Sequence, residues 1–125
     1  MSQLGVAHIA GQVLVAGFGS AGPTPRLAEM ARSGQLGGFV LFRRNLGSLQ
    51  EVREQNLRLQ GLSGGEPPLW IAVDQEGGRV ARLGPPVVKL PAMRRLGQVE
   101  DPTLTRDAAR TLGRQLAALG FNLDF

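Results

Sequence analysis

The stretch IAVDQEGGRVARL, Ile71–Leu83, begins as an apolar run and continues as a cluster of glycines and charged residues. The apolar run does not alternate with polar residues, which is typical of a parallel strand covered on both faces. Ligands of α/β folds bind at the C-terminal ends of such strands. Asp74 directly follows the run, so we expect its carboxylate at the ligand-binding edge of a parallel sheet.

Three apolar runs of strand length are spaced along the chain, and none of them alternates polar with apolar residues. We therefore expect each run to form a buried parallel strand. The runs are QVLVAGF (Gln12–Phe18), GFVLF (Gly38–Phe42) and LWIAV (Leu69–Val73). A fourth segment, FNLDF (Phe121–Phe125), is expected to begin a fourth strand.

Three stretches with helix-capping signals separate these runs. They are TPRLAEMARSG with Thr24 as N-cap, SLQEVREQNLRLQG with Ser48 and Glu51 in capping-box spacing, and DPTLTRDAARTLGRQLAALG with Asp101 as N-cap. This alternation provides the crossovers that parallel strands require. The segment Gln75–Glu100 exceeds the ~12–15 residues usual for a loop in a compact domain, which predicts a loop that is either functional or disordered.

The length of the chain limits how much of an α/β fold it contains. Its 125 residues suffice for one domain with a core. A complete (β/α)8 barrel needs ~250 residues. We therefore expect an α/β fold in which residues 1–125 are the N-terminal part of one barrel domain. This part is the first half of a (β/α)8 TIM barrel, truncated in the fourth strand.

Composition argues against several classes of protein. The net charge is +4, but the arginines are spread from Arg26 to Arg114 and tyrosine is absent, so a solvated surface is favoured over a nucleic-acid interface. Cysteine is absent, and no run approaches the ~20 apolar residues of a membrane helix. We expect a cytoplasmic protein that binds neither nucleic acid nor a membrane.

Charged residues surround the glycines after the third run. Asp74 can accept hydrogen bonds from two neighbouring hydroxyls, and Gly77 permits a tight turn beyond it. Arg82 can fold back to hold a carboxylate or to donate to a polar ligand. In an extended segment Asp74 and Glu76 lie on one face, roughly 7 Å apart. The residues alone therefore leave a catalytic pair of carboxylates open.

The string AVDQEGGRVARL resembles the signature segment of family 3 glycoside hydrolases, in particular their bacterial β-N-acetylhexosaminidase branch. GQVLVAGF, GGFVLFRRN, KLPAMRRLG and TRDAARTLGRQLAALGFNLDF are similar to other family segments in the same order. The resemblance implies a (β/α)8 barrel that removes terminal β-linked N-acetylglucosamine with retention. It also implies a GlcNAc-containing oligosaccharide or muropeptide as substrate, a role in peptidoglycan recycling, and no metal or cofactor.

The resemblance also implies which site residues the chain holds. A retaining glycosidase needs a nucleophilic carboxylate and a general acid/base. In this branch both follow the fourth strand, so we expect no catalytic residue in this chain and no activity of the 125 residues alone. By position, Asp74 and Arg82 match two residues that bind the sugar. Glu76 is then structural, and no role is assigned to Asp124.

Other polar and aromatic residues are interpreted as structural. Arg79 is expected to brace Glu76 or the loop, His8 to have a structural role, and Trp70 to pack in the core or against a helix. The segment Arg43–Asn45 is expected to anchor the loop that follows the second strand.

Two alternative functions remain open, and the oligomeric state of the isolated chain is a separate expectation. The first alternative is a non-catalytic half-barrel for sugar binding or assembly, and the second is a fragment of a family 3 β-glucosidase. Because its first and fourth strands would be open edges, we expect the fragment to self-associate.

Overall fold

The computed structural model describes residues 5–65 and 67–125, which form one four-stranded parallel sheet with helices between the strands. The strand order β1-β2-β3-β4 follows the sequence, and each neighbouring pair is parallel. The strands are β1 (Val15–Ala16), β2 (Gly38–Leu41), β3 (Trp70–Val73) and β4 (Leu123–Asp124). This order confirms the expected α/β fold. The sheet is not closed, which is consistent with part of a barrel.

Within residues 5–65 and 67–125, five α-helices and one short 3-10 turn accompany the sheet, and three of the helices start at the predicted caps. They are α1 (Val6–Gly11), α2 (Pro25–Arg32), the turn Arg43–Asn45, α3 (Leu49–Gln60), α4 (Met93–Val99) and α5 (Pro102–Ala118). Thr24, Ser48 and Asp101 each accept a hydrogen bond from a backbone N–H in the first turn of their helix. Ser48 and Glu51 form the predicted capping box.

Alternate residues of the central strands face opposite sides of the sheet. Phe39 and Leu41 of β2 and Ile71 and Val73 of β3 belong to a continuous apolar core that includes residues of α3 and α5. The buried core members contributed by these two helices are Val52, Leu59, Leu112 and Leu116. Packing of this face against helices holds the sheet in place.

The other side of the sheet carries Val40, Trp70 and Leu123, and we call these three residues the inner face. The register aligns Val40 with Ala72 and Ala72 with Leu123. Val40, Trp70 and Leu123 lie outside the core cluster, whereas Ala72 is fully buried. Trp70 is 45% exposed. The prediction that Trp70 packs in the core or against a helix is therefore wrong: the strand alternation directs it to the side opposite the core.

Three local features differ from the sequence-based expectation. β1 covers only Val15–Ala16 of the predicted strand, because Val13 and Leu14 continue hydrogen bonding to the end of α1. Helix α1 itself was not predicted. The segment Gln75–Glu100 is not entirely a loop, since it contains α4.

None of the described helices is long and apolar enough to cross a membrane.

Candidate functional site

The central pair of the candidate site lies where β3 ends. Asp74 follows Val73, the last residue of β3, and Arg82 Nη2 donates to Asp74 Oδ2 at 3.1 Å. The side chains of Arg82 and Asp74 are 30% and 20% exposed, so the pair is shielded but reachable from solvent. A carboxylate and a guanidinium at this edge present acceptors and donors together, which suits a ligand rich in hydroxyl groups.

A tight glycine turn brings Arg82 back towards Asp74. Gly77 and Gly78 have φ values of 89° and 58°, which side-chain-bearing residues rarely adopt. Gly77 and Val80 exchange backbone hydrogen bonds of 2.9 and 3.1 Å. A Cβ on Gly77 would lie 2.5 Å from the carbonyl oxygen of Pro91, so the turn has no room for a side chain.

The side chain of Gln75 lies beneath this turn and is a site residue that sequence reasoning missed. Gln75 is 1% exposed. Its Oε1 accepts from the backbone N–H of Arg82 at 2.8 Å and of Leu83 at 3.0 Å, and its Nε2 donates to the Leu83 carbonyl at 3.3 Å. The only signal in the sequence is a polar amide next to a buried strand.

Asp124, to which no role was assigned, connects β4 to the same loop. Its Oδ1 accepts from the backbone N–H of Gln75 at 2.8 Å. Asp124 is an exposed residue, but partial desolvation raises the pKa of its carboxyl, and the nearby carboxylates of Asp74 and Glu76 raise it further. The hydrogen bond from Gln75 acts in the opposite direction. Asp124 therefore orders the loop at some electrostatic cost.

Anchoring of the loop was predicted for all three residues that follow β2, and two of them form the expected hydrogen bonds to backbone carbonyls. Arg44 Nε donates to the carbonyl of Phe18 at 2.8 Å, and Asn45 Nδ2 donates to the carbonyl of Gly19 at 3.0 Å. These bonds tie the loop after β1 to the loop after β2. Arg43 is exposed and forms no side-chain hydrogen bond within residues 5–65 and 67–125.

Three further predicted roles can be compared with the structure. Glu76 and Arg79 are both exposed and, among the described residues, form neither an ion pair nor a side-chain hydrogen bond, so Arg79 braces neither Glu76 nor the loop backbone. His8 lies on α1 against Gly34. Because α1 precedes β1, this histidine is at the end of the sheet opposite Asp74.

The described part of the chain also contains no group of three or more His, Asp or Glu side chains that could hold a metal ion. The arrangement at β3 is suited to binding hydroxyl groups. The general acid/base and nucleophile that glycoside hydrolysis requires are not assigned to any described residue.

Two curated relatives of this sequence carry the same name. Beta-hexosaminidase from Nitrosomonas eutropha is 45% identical over 85 residues, which are 66% of this chain and 24% of the relative. Beta-hexosaminidase from Neisseria gonorrhoeae is 37% identical over 97 residues, 72% of this chain and 26% of the relative. The chain thus spans about a quarter of the length of the curated relatives that it matches.

Solved structures and a family profile agree with these relatives. A glycoside hydrolase family 3 beta-N-acetylglucosaminidase from Paenibacillus sp. superposes with a TM-score of 0.83 at 34% identity, covering 98% of this chain and 24% of that one. NagZ from Neisseria gonorrhoeae, in complex with N-trifluoroacetyl-D-glucosamine, gives 0.72 at 33% identity, covering 90% and 34%. The profile "Glycosyl hydrolase family 3 N terminal domain" matches residues 3–125. The chain therefore belongs to glycosyl hydrolase family 3, within its N-terminal domain.

Proposed function

We propose that this chain is the N-terminal part of a β-N-acetylhexosaminidase barrel that releases terminal β-linked N-acetylglucosamine with retention. The observation that carries the proposal is the ion pair between Asp74 and Arg82 at the C-terminal end of β3. The names of the relatives and the glucosamine derivative in the NagZ complex support a sugar of this class.

Within this proposal Asp74 and Arg82 bind the sugar and perform no covalent chemistry. The two oxygens of Asp74 accept hydrogen bonds from adjacent sugar hydroxyls, and Arg82 donates to the same sugar while orienting the carboxylate. Such bonds strengthen as positive charge develops on the ring in the oxocarbenium-like transition state. The nucleophile and the acid/base belong to the part of the barrel that follows these 125 residues.

The finer assignments are proposals of the same kind. The substrate is a GlcNAc-containing oligosaccharide or muropeptide, and the reaction belongs to peptidoglycan recycling in the cytoplasm. The 125-residue chain by itself self-associates, because β1 and β4 each pair on one side only within the described residues and their free edges attract further strands.

The test uses the full-barrel protein, meaning the polypeptide in which these 125 residues are followed by the rest of the barrel. Its kcat/KM is compared on 4-nitrophenyl β-N-acetylglucosaminide and on the corresponding β-glucoside. Preference for the first substrate supports the proposal. Preference for the glucoside would instead identify a family 3 β-glucosidase. A reading frame that ends at Phe125 would favour a non-catalytic half-barrel.

A paired substitution tests whether Arg82 belongs to the site. Arg82→Ala should lower kcat/KM on the N-acetylglucosaminide by roughly 10- to 100-fold, since it removes a charge-assisted contact worth about 1.5–3 kcal/mol. Arg79→Ala changes an exposed arginine of the same loop and should leave the rate near that of the parent. Equal effects of the two substitutions would remove Arg82 from the sugar site.

A further inference from the structure

We propose that Gln75 is a positioning residue that sets Arg82 against Asp74 by holding the backbone of Arg82 and Leu83. This inference rests on the proposed function, because it concerns how the sugar-binding pair is held. Gln75 forms no contact with the ion pair's charged atoms among the described hydrogen bonds, so it acts on the pair through the backbone.

The first argument is the saturation of a buried amide. Gln75 is 1% exposed, and its Oε1 accepts two backbone hydrogen bonds while its Nε2 donates one. A buried amide with these partners is held in one orientation, since any rotation would leave backbone groups without partners. The backbone at Arg82 is thereby fixed relative to the end of β3.

The second argument is how weakly the Arg82 side chain is held by its own contacts. Its described hydrogen bond is the single one from Nη2 to Asp74 Oδ2, and its Nε is buried without a partner within residues 5–65 and 67–125. An arginine can donate five hydrogen bonds. With so few side-chain contacts, the position of the guanidinium depends on the position of the Arg82 backbone. The hydrogen bond from the Arg82 N–H to Gln75 fixes that backbone.

The third argument is that Gln75 is itself positioned from another strand. Gln75 lies two positions after the end of β3, and its backbone N–H donates to Asp124 Oδ1 of β4 at 2.8 Å. The chain of contacts therefore runs from β4 through Gln75 to Arg82 and Asp74. Two strands of the sheet thus fix the geometry of the pair.

A double-mutant cycle in the full-barrel protein tests the proposal. Gln75→Met keeps the side-chain volume but removes the hydrogen bonds, and it should lower kcat/KM about 10- to 100-fold, as expected when a binding group shifts by about 1 Å. In an Arg82→Ala background the same substitution should cost less than about threefold, because the group that it positions is already gone. The exposed Gln98 of α4 provides the control, since Gln98→Met should leave kcat/KM unchanged.

The outcomes of the cycle separate the two proposals. Additive losses from Gln75→Met and Arg82→Ala would show that Gln75 affects kcat/KM independently of Arg82 and would overturn the inference. An Arg82→Ala protein with parent-like kcat/KM would overturn the sugar-site assignment itself, and the inference with it. Loss of activity in Arg82→Ala with none in Gln75→Met would overturn the positioning role alone.

A conservative variant supplies a second readout in case Gln75→Met folds poorly. In Gln75→Glu the protonated carboxyl can accept from the two N–H groups and donate to the Leu83 carbonyl, whereas the ionised form cannot donate. The ratio of variant to parent kcat/KM should therefore be highest at acidic pH and fall as pH rises, with circular dichroism confirming the fold at each pH. A ratio that does not change with pH would contradict the positioning role.

Discussion

Arg82 and Asp74 are eight residues apart in sequence, yet Arg82 Nη2 lies 3.1 Å from Asp74 Oδ2 at the end of β3. The return of the chain depends on the left-handed glycines Gly77 and Gly78 and on the amide of Gln75 beneath them. The pair is only partly buried, so we attribute little folding stability to it. In our proposal, its placement at the C-terminal edge of the sheet serves ligand binding.

Asp74→Asn in the full-barrel protein should reduce catalysis. The amide keeps one acceptor but loses the charge, and the hydrogen bonds that strengthen in the transition state weaken by about 2–4 kcal/mol. We expect kcat/KM on an aryl β-N-acetylglucosaminide to fall by about 30- to 1000-fold. Glu76→Gln makes the same chemical change at an exposed neighbour and is the control. An unchanged kcat/KM in Asp74→Asn would remove Asp74 from the sugar site.

The isolated 125-residue chain should not hydrolyse that substrate above the uncatalysed rate. Asp74 and Arg82 bind rather than react in our proposal, and the single histidine, His8, lies on α1 at the opposite end of the sheet. Release of 4-nitrophenol by the purified chain is the measurement, with the Asp74→Asn chain prepared in parallel. Turnover that Asp74→Asn abolishes would show that this part of the barrel contains catalytic groups.

Asp124→Asn should remove a pH-dependent loss of stability. Partial desolvation and two nearby carboxylates raise the pKa of Asp124 above its ordinary value of 3.8. Between the unfolded and the folded pKa the folded state binds more protons, so the free energy of unfolding falls as pH rises through this window. The asparagine oxygen can still accept from the Gln75 N–H. We therefore expect the fall in the free energy of unfolding that Asp124 causes to disappear, and the free energy of unfolding at pH 7 to be unchanged or higher.

Circular dichroism melts between pH 3 and 8, at one fixed protein concentration, measure this effect. Asp124→Ala provides the comparison, because it removes the charge and also the acceptor, and it should lose about 1 kcal/mol at pH 7. A parent chain and an Asp124→Asn chain with the same pH dependence would show that Asp124 does not contribute to it.

Gly77→Ala and Gly113→Ala should change stability in opposite directions. Gly77 has φ of 89° and its Cβ would lie 2.5 Å from the Pro91 oxygen, so alanine should cost about 2 kcal/mol or more. Gly113 lies within α5 with open space around its Cβ position, so alanine should stabilise by about 0.5–1 kcal/mol. Urea unfolding measures both, and equal stability of the two variants would contradict the turn's need for glycine.

Features set by local sequence could be predicted, because their causes lie within a few residues. The caps Thr24 and Ser48 and the apolar runs of β2 and β3 were each recognisable from their own neighbourhood. β1 was predicted too long, since Val13 and Leu14 are apolar but belong to the turn after α1. Periodicity cannot separate a short strand from an apolar turn.

The supporting contacts of the site could not be predicted, because they join residues far apart in sequence. Gln75 bonds to Leu83 eight residues away and to Asp124 across 49 residues. Asn122 likewise accepts from the Ile71 N–H across 51 residues. Side-chain amides have no periodic signal, and a buried amide looks like an exposed one in sequence. Asp74 and Arg82 were predicted from the family segment, whereas the residues that hold them were not.

Self-association of the isolated chain is the final prediction, and it follows from the sheet. Within the described residues β1 pairs only with β2 and β4 only with β3, which leaves two free edges. The inner face lies outside the apolar core, and Trp70 on it is 45% exposed. Free edges and exposed apolar surface both favour association with another chain.

Light scattering coupled to gel filtration should therefore detect a dimer or a larger assembly at micromolar concentration. Trp70 is the only tryptophan, so its emission should shift to shorter wavelength as concentration rises and the inner face becomes covered. Val40→Lys places a charge on that face and should shift the equilibrium towards monomer, whereas Leu57→Lys, at an exposed position on α3, should not. A cooperatively unfolding monomer with constant Trp70 emission would show that the 125 residues cover their own core, and the half-barrel interpretation would then be wrong.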